Sequence, residues 1–153
     1  GLADPDRLIV RGGSAGGYVV LAAHAFHDTF ATGASYFGVS DLSALAKDTH
    51  KFESHYLLGL IGPFPQSKAV YEARSPINHL GGFDRPLILF QGLKDPIVPP
   101  DQSRRIYEAL RARGLEAEYV TFSGEGHGFR RKKNIVLSLE KEHAFYQRVL
   151  PLE

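Results

Sequence analysis

The sequence predicts an α/β fold in which a parallel sheet of about four strands is flanked by helices. Short apolar segments bounded by turn residues alternate with longer helix-like segments along the chain, and this is the order that β-α-β units produce. The predicted strands are residues 8–10, 32–37, 86–91 and 118–122. The predicted helices are residues 17–26, 43–58, 67–74, 100–113 and 134–150.

The first three elements follow from apolar runs of different length. Residues 8–10 form a short apolar run between turn residues, which is typical of a strand in a parallel sheet. Residues 17–26 are almost all apolar and too long for a strand, so a buried helix is predicted there. Residues 32–37 then form the second strand.

The middle of the chain contains two helix-like segments and a third strand. Residues 43–58 and 67–74 are separated by the breaker sequence Gly62-Pro63-Phe64-Pro65. The pair Ser75-Pro76 ends this helical region because the residue before a proline avoids helical geometry. Residues 86–91 are apolar and indicate a strand.

The last part of the chain contains two helices with a strand between them. Residues 100–113 start at a proline, carry Asp101 in the first turn and are followed by Gly114, all of which favour a helix with these bounds. Residues 118–122 form the fourth strand, and residues 134–150 form an amphipathic helix. Its predicted apolar face consists of Ile135, Leu139, Tyr146 and Val149.

Composition excludes several functional classes. The chain has 153 residues, about the length of one domain, and a net charge of +1, so no nucleic-acid or membrane partner is expected. No apolar run approaches the ~18 residues of a membrane span. The sequence identifies no compartment, and a cytoplasmic location is the working expectation. The absence of methionine suggests a processed chain or an excerpt of a longer one.

A glycine-rich turn between the first strand and the first helix carries a single serine. Its sequence, Gly12-Gly13-Ser14-Ala15-Gly16, fits the G-x-S-x-G nucleophile elbow, in which a strained turn presents a serine hydroxyl. We expect steric crowding to require glycine at the flanking positions, and the Ala15 amide to stabilise an oxyanion. A glycine-rich turn with an incidental serine is the alternative.

A nucleophilic serine needs a general base and a carboxylate that orients the base. Asp95 lies in the loop after the strand at 86–91, and His127 lies in the loop after the strand at 118–122. Because the carboxyl ends of parallel strands meet at one edge of a sheet, Ser14, Asp95 and His127 are predicted to converge there.

Other charged residues are weaker candidates for this site. Asp41 also follows a predicted strand and is the second candidate for the acid. Glu125 lies in the same loop as His127 and is predicted to be solvated. The run Arg130-Arg131-Lys132-Lys133 is predicted to be an exposed loop before the last helix.

No metal or cofactor is expected. The chain has no cysteine, and His50 and His55 are five residues apart, which is the wrong spacing for two ligands on one helix face. His24 lies within a predicted helix, where a packing role is expected.

These motifs together resemble the catalytic domain of the prolyl oligopeptidase family. The elbow continues into Gly17-Tyr18, Asp95 lies in a Gly-x-x-Asp-x-x-Val-Pro setting, and His127 lies in Gly-x-Gly-His-Gly-Phe. The acylaminoacyl-peptidase and dipeptidyl-peptidase-like branch is the most similar. The resemblance implies an α/β-hydrolase fold and a serine peptidase of short peptides that acts through an acyl-enzyme. Ser14 would be the nucleophile, His127 the base and Asp95 its orienting acid.

The resemblance also implies that residues 1–153 are the C-terminal half of a catalytic domain. An α/β-hydrolase sheet normally has eight strands with the elbow after the fifth, whereas only residues 1–7 precede the first predicted strand. We therefore expect the upstream half, a β-propeller and the second oxyanion donor to lie elsewhere in a parent chain. That missing N-terminal part would be the natural partner. Alone, residues 1–153 are expected to be nearly inactive, and either to self-associate as a homo-oligomer through the exposed edge of the first strand or to be only marginally stable.

The substrate pocket is placed by analogy with the resembled enzymes. The P1 side chain would lie near the loops after the second strand and after Asp95, where Val39, Leu42, Ile97 and Val98 occur. All four are apolar, so an apolar or proline-like P1 residue is expected. Core packing is the alternative role for these aliphatic side chains.

Two other functions stay open from the sequence. A small-ester hydrolase, similar to carboxylesterases or dienelactone hydrolase, would share the fold and the three site residues. A non-catalytic hydrolase-like fragment that serves only for interaction is the second.

Overall fold

Four strands form a single parallel sheet in the computed structural model, which describes residues 3–48 and 56–150. The strands are β1 (Ile9–Gly13), β2 (Thr32–Tyr36), β3 (Leu87–Gly92) and β4 (Ala117–Phe122). They lie side by side in chain order. All neighbouring pairs are parallel, so each connection between them must cross from one end of the sheet to the other. The predicted fold class is confirmed.

Six α-helices lie within the described residues. They are α1 (Ala15–Phe26), α2 (Leu42–Asp48), α3 (Tyr56–Leu60), α4 (Lys68–Arg74), α5 (Asp101–Ala112) and α6 (Lys132–Val149). These bounds agree with the predicted helices except for the one at 43–58. The structure has α2 and α3 in that region, and the intervening residues, with His50 and His55, lie outside the described part of the chain.

Helices cover the sheet on both faces. On one face α1 and α5 pack against the strands around a fully buried apolar cluster. On the other face α6 packs against β2 and β3 around a cluster rich in aromatic rings. The prediction of a buried helix at 17–26 is correct for the side that faces the sheet but wrong for the outer side, where Val19 is 56% exposed.

The apolar face predicted for α6 is also partly wrong. Ile135 and Leu139 are 40% and 51% exposed, whereas Ser138, Glu142 and Phe145 are buried. Apolar periodicity misplaces this face because a carboxylate, and not an aliphatic side chain, lies at its centre.

Four hydrogen bonds satisfy the buried Glu142 carboxylate and offset the cost of removing its charge from water. Arg11 donates two of them, at 2.7 and 3.0 Å, and the hydroxyls of Tyr36 and Tyr146 donate the others, at 2.5 and 2.7 Å. Burial would raise the pKa of Glu142, but these donors lower it below its usual value. Burial and the neighbouring carboxylate raise the pKa of Tyr36 to about 12. The Glu142 network therefore joins β1, β2 and α6.

β1 and β4 form the two edges of the sheet in the described part of the chain. Ile9 of β1 is 40% exposed. The self-association expected of the chain alone stays a prediction. Within residues 3–48 and 56–150, no helix is long and apolar enough to span a bilayer.

A separate cluster is formed by residues that follow β2 and β3 in the chain. Val39, Leu42, Leu45, Leu57, Tyr71 and Val98 form this cluster, and all are buried. Because α2, α3 and α4 follow the end of β2, and Val98 follows the end of β3, the cluster lies beyond the carboxyl edge of the sheet.

Candidate active site

Ser14 occupies a strained turn between β1 and α1. Its backbone angles are φ 56° and ψ −118°, a conformation that non-glycine residues rarely adopt. A hydrogen bond of 3.0 Å from the Ser14 N–H to the Tyr36 carbonyl fixes the turn to the end of β2. Ala15 is the first residue of α1 and is exposed, which leaves its N–H at the free N-terminal end of the helix.

The glycines around Ser14 are required unequally. A Cβ on Gly12 would lie 2.6 Å from the Gly16 backbone, and a Cβ on Gly17 would lie 2.6 Å from the Gly38 backbone. A Cβ on Gly16 would meet no described atom within 4 Å. The prediction that crowding requires glycine at each flanking position is therefore wrong for Gly16.

Ser14, His127 and Asp95 form a continuous hydrogen-bonded chain. The His127 Nε2 atom lies 2.8 Å from the Ser14 Oγ atom, and the Nδ1 atom on the other side of the ring lies 2.9 Å from the Asp95 Oδ2 atom. The Asp95 side chain is fully buried, and that of His127 is 19% exposed. Phe37 contacts the imidazole ring edge to face at a centroid distance of 4.9 Å. The structure thus brings together the three residues that the sequence placed at this edge.

The Asp95 carboxylate is held in one orientation. Its Oδ1 atom accepts hydrogen bonds from the N–H groups of Ile97 and Val98, both at 2.9 Å. Its Oδ2 atom faces His127 and also accepts a 3.3 Å hydrogen bond from the Gln91 amide. The other end of that amide accepts a 2.8 Å hydrogen bond from Ser103. Sequence reasoning missed Gln91, because a polar residue at the end of an apolar strand gives no sign of its partner.

The second candidate acid, Asp41, has other partners. Its Oδ2 atom accepts a 3.0 Å hydrogen bond from Arg105, and its Oδ1 atom accepts one from the Ala44 N–H at the start of α2. Asp41 therefore stabilises the helix that follows it, and the structure does not bring it to His127.

The prediction that Glu125 is solvated is wrong. Glu125 is 3% exposed, and its carboxylate accepts hydrogen bonds from the N–H groups of Arg130 and Arg131 at 3.0 Å and from the Asn134 amide at 2.7 Å. The hydrogen bond from the Arg130 N–H makes the largest contribution to lowering the pKa of Glu125. The carboxylate therefore stays ionised and holds the His127 loop to the start of α6.

An apolar cavity of about 460 Å³ opens beside Ser14. Val39, Leu42, Ile97 and Val98, the four residues that the sequence assigned to a substrate pocket, all line it. Three of the four also pack in the buried cluster beyond the sheet edge. The two roles considered for these residues are thus compatible.

Sequence reasoning missed most of the cavity wall. The further lining residues are Tyr18, Leu45, Tyr56, Leu57, Leu60, Ile61 and Arg74. The Tyr18 hydroxyl donates a 3.0 Å hydrogen bond to the Arg74 carbonyl. Burial raises the pKa of Tyr18, and the positive charge of Arg74 opposes that rise, so the guanidinium lies near the phenol. The spacing of apolar residues in α3 and α4 could have identified an apolar side of each helix. It could not have identified the loop against which that side packs.

The described residues contain no group of three histidine, aspartate or glutamate side chains arranged to hold a metal ion. The imidazole of His24 is buried, as expected for a packing role. Burial lowers the pKa of His24 to about 4.

Three known proteins are similar to this chain. Dipeptidyl aminopeptidase BIII of Pseudoxanthomonas mexicana is 32% identical over 140 residues, which cover 88% of this chain and 20% of that protein. Esterase LipQ of Mycobacterium tuberculosis is 30% identical over 144 residues, which cover 82% of this chain and 34% of that protein. The solved structure of a puromycin-hydrolyzing peptidase of Mycobacterium tuberculosis is 52% identical, with a TM-score of 0.95, over 99% of this chain and 23% of that one.

The chain thus spans about a fifth of the length of the two similar peptidases. The profile of one family extends over nearly the whole sequence, matching residues 1–152. The family resemblance that the sequence motifs suggested is confirmed, and the chain belongs to the prolyl oligopeptidase family.

Proposed function

We propose that the protein is a serine peptidase that hydrolyses peptide bonds of short peptides through an acyl-enzyme. One observation carries this proposal: the hydrogen-bonded chain from Asp95 through His127 ends at Ser14, which lines an apolar cavity. Two similar proteins support it, since one is called a dipeptidyl aminopeptidase and the other a puromycin-hydrolyzing peptidase.

In this proposal the Ser14 Oγ atom attacks the carbonyl carbon of the scissile bond. Its proton moves to the Nε2 atom of His127, and the negative charge of Asp95 stabilises the imidazolium that forms. The Ala15 N–H stabilises the negative oxygen of the tetrahedral intermediate. The C–N bond then breaks as His127 returns the proton to the leaving amine. Water deprotonated by the same imidazole hydrolyses the acyl ester and restores Ser14.

The cavity supports a preference for an apolar acyl residue. Its wall is mainly aliphatic and aromatic, and Val39, Leu42, Ile97 and Val98 would contact the P1 side chain. Transfer of apolar surface from water into such a wall contributes about 25 cal/mol per Å². An aliphatic, aromatic or proline-like P1 residue is therefore the proposed substrate class.

The test uses the natural full-length protein and an apolar aminoacyl p-nitroanilide. We expect Ser14→Ala and His127→Ala each to lower kcat by about 10⁶, and the double variant to lose scarcely more, because the two residues act as one unit. Ser123→Ala, which changes an exposed serine of the same region, is the matched control. Independent, multiplicative losses would contradict the proposal. So would failure of a fluorophosphonate probe to label Ser14, a result that favours a non-catalytic protein.

A small-ester hydrolase is the second candidate, favoured by the similarity to esterase LipQ. Both activities would use the same three residues. The ratio of kcat/KM for an aminoacyl anilide to that for a p-nitrophenyl ester distinguishes them, because ester cleavage needs no protonation of a poor leaving group. Turnover of the ester with none of the anilide would favour the esterase.

A further inference from the structure

A second cavity, of about 420 Å³, lies on the His127 side of the site. Besides His127 itself, its wall includes Glu125, Ile97, Arg130 and Arg131. Ile97 lines both cavities, so the two adjoin there. We call this second space the His127 cavity.

The chemistry of acyl transfer assigns different parts of a substrate to the two spaces. This step rests on the proposed peptidase function. The acyl group must lie beside Ser14 and the Ala15 N–H, and both of these residues line the apolar cavity. The leaving amine must receive its proton from the Nε2 atom of His127. The His127 cavity is therefore placed to accept the leaving part of the peptide.

Charge determines what the His127 cavity would bind. The carboxylate of Glu125 accepts hydrogen bonds from the backbone of Arg130 and Arg131 and from the Asn134 amide. In the described part of the chain, neither guanidinium lies within ion-pair distance of a carboxylate, although the charge of Arg131 helps to lower the pKa of Glu125. The cavity thus contains two guanidinium cations and one ionised carboxylate, which leaves one positive charge unmatched.

The loop backbone also accommodates one of these cations. A Cβ on Gly124 would lie 2.6 to 2.8 Å from the Nη1, Cζ and Nη2 atoms of Arg131. The guanidinium plane therefore rests directly against the backbone at Gly124, where any larger residue would displace it. Lys132 and Lys133 of the same basic run belong to α6 and do not line the cavity.

We propose that Arg130 and Arg131 bind the free C-terminal carboxylate of the leaving peptide. Guanidinium groups bind carboxylates through paired, charge-assisted hydrogen bonds. In a substrate with only one or two residues after the scissile bond, that carboxylate lies close to the leaving amine. The His127 cavity would then select short peptides with a free C-terminus over amidated or longer ones.

The test compares three substrates of the natural full-length protein that share one acyl group. The first is a short peptide with a free C-terminal carboxylate, the second is the same peptide with a C-terminal amide, and the third is a p-nitroanilide without a carboxylate. We expect kcat/KM for the carboxylate to exceed that for the amide by about tenfold or more, as charge-assisted hydrogen bonds allow. This ratio should fall as salt concentration rises, because screening weakens an exposed ion pair.

The variants Arg130→Gln and Arg131→Gln, and above all their combination, should bring the ratio close to one. The ratio is the readout because a general effect on the His127 loop would lower all three rates together, and Lys133→Gln should leave all three rates unchanged. A natural protein without a salt-dependent carboxylate preference overturns the inference, even if the variants fail to fold. An unchanged ratio in the double variant also overturns it. Failure of the natural protein to hydrolyse any of the three substrates would instead remove the proposed peptidase function.

Discussion

Substitution of Asp95 by asparagine should disable the base while the chain stays folded, although the Gln91 amide loses a 3.3 Å acceptor. The Oδ1 atom of Asp95 accepts two backbone N–H groups at 2.9 Å, so an asparagine must place its carbonyl oxygen there. Its NH₂ group must then face the Nδ1 atom of His127. In the natural protein this atom lies 2.9 Å from the Oδ2 atom of Asp95. Nδ1 would have to accept that hydrogen bond, and the imidazole proton would move to Nε2.

An imidazole with its proton on Nε2 cannot accept the proton of Ser14. We therefore expect Asp95→Asn to lower kcat for an aminoacyl anilide by about 10⁴, which corresponds to about 5.5 kcal/mol of lost transition-state stabilisation. Asp41→Asn is the matched control, because it removes a similar charge that pairs with Arg105 away from the imidazole. Thermal unfolding should confirm that Asp95→Asn remains folded. Activity within tenfold of the natural protein, or a larger loss for Asp41→Asn, would refute this reasoning.

Three further predictions concern the scaffold. Gly17→Ala should lower the free energy of unfolding in urea by several kcal/mol through backbone overlap, whereas Gly16→Ala should be tolerated; equal effects would contradict the steric argument. The pKa of His24 lies at about 4, below its unfolded value of 6.5. Between these two values the unfolded state binds more protons than the folded state, so the free energy of unfolding should decrease as the pH is lowered. Between pH 7.5 and 4.5 the natural protein should lose about 2–3 kcal/mol more than His24→Leu, and parallel pH profiles would be inconsistent with a buried neutral imidazole. Glu142→Gln should lower stability by about 2–3 kcal/mol through its weakened hydrogen bonds, and Glu116→Gln, at an exposed ion pair, by at most about 0.5 kcal/mol. Similar losses in these two variants would contradict the buried network.

The position of the site could be predicted from the sequence because the carboxyl ends of parallel strands all lie at the same edge of the sheet. Ser14, Asp95 and His127 each follow a strand, and β1, β3 and β4 run in the same direction. Any residue just after such a strand must lie at one edge of the sheet, so the prediction required only strand positions and no contacts. The same reasoning also brought Asp41 to that edge, and only side-chain geometry separates it from Asp95.

Residues whose environment depends on chain reversals could not be predicted. Glu125 precedes a basic run in the sequence, and this pattern predicts a solvated loop residue. In the structure the chain after His127 turns back, and two backbone N–H groups donate hydrogen bonds to the Glu125 carboxylate. The wall of the apolar cavity depends on how α3 packs against Val39 and Val98. Sequence periodicity gives the apolar side of a helix, but it does not state which loop covers that side.

The Glu142 network explains how the turn that carries Ser14 and the loop that carries His127 keep a fixed relative position. Tyr36 holds Ser14 through its carbonyl oxygen and holds Glu142 through its hydroxyl. Glu142 belongs to α6, and the start of α6 is tied to the His127 loop by the carboxylate of Glu125. The nucleophile and its base are therefore both anchored to one helix, at its middle and at its N-terminal end. A shift of α6 relative to the sheet would alter the 2.8 Å separation of Ser14 and His127, although no residue of α6 touches either one among the described contacts. This coupling gives a reason for a charged residue at the centre of a buried helix face, where packing alone would favour an aliphatic side chain.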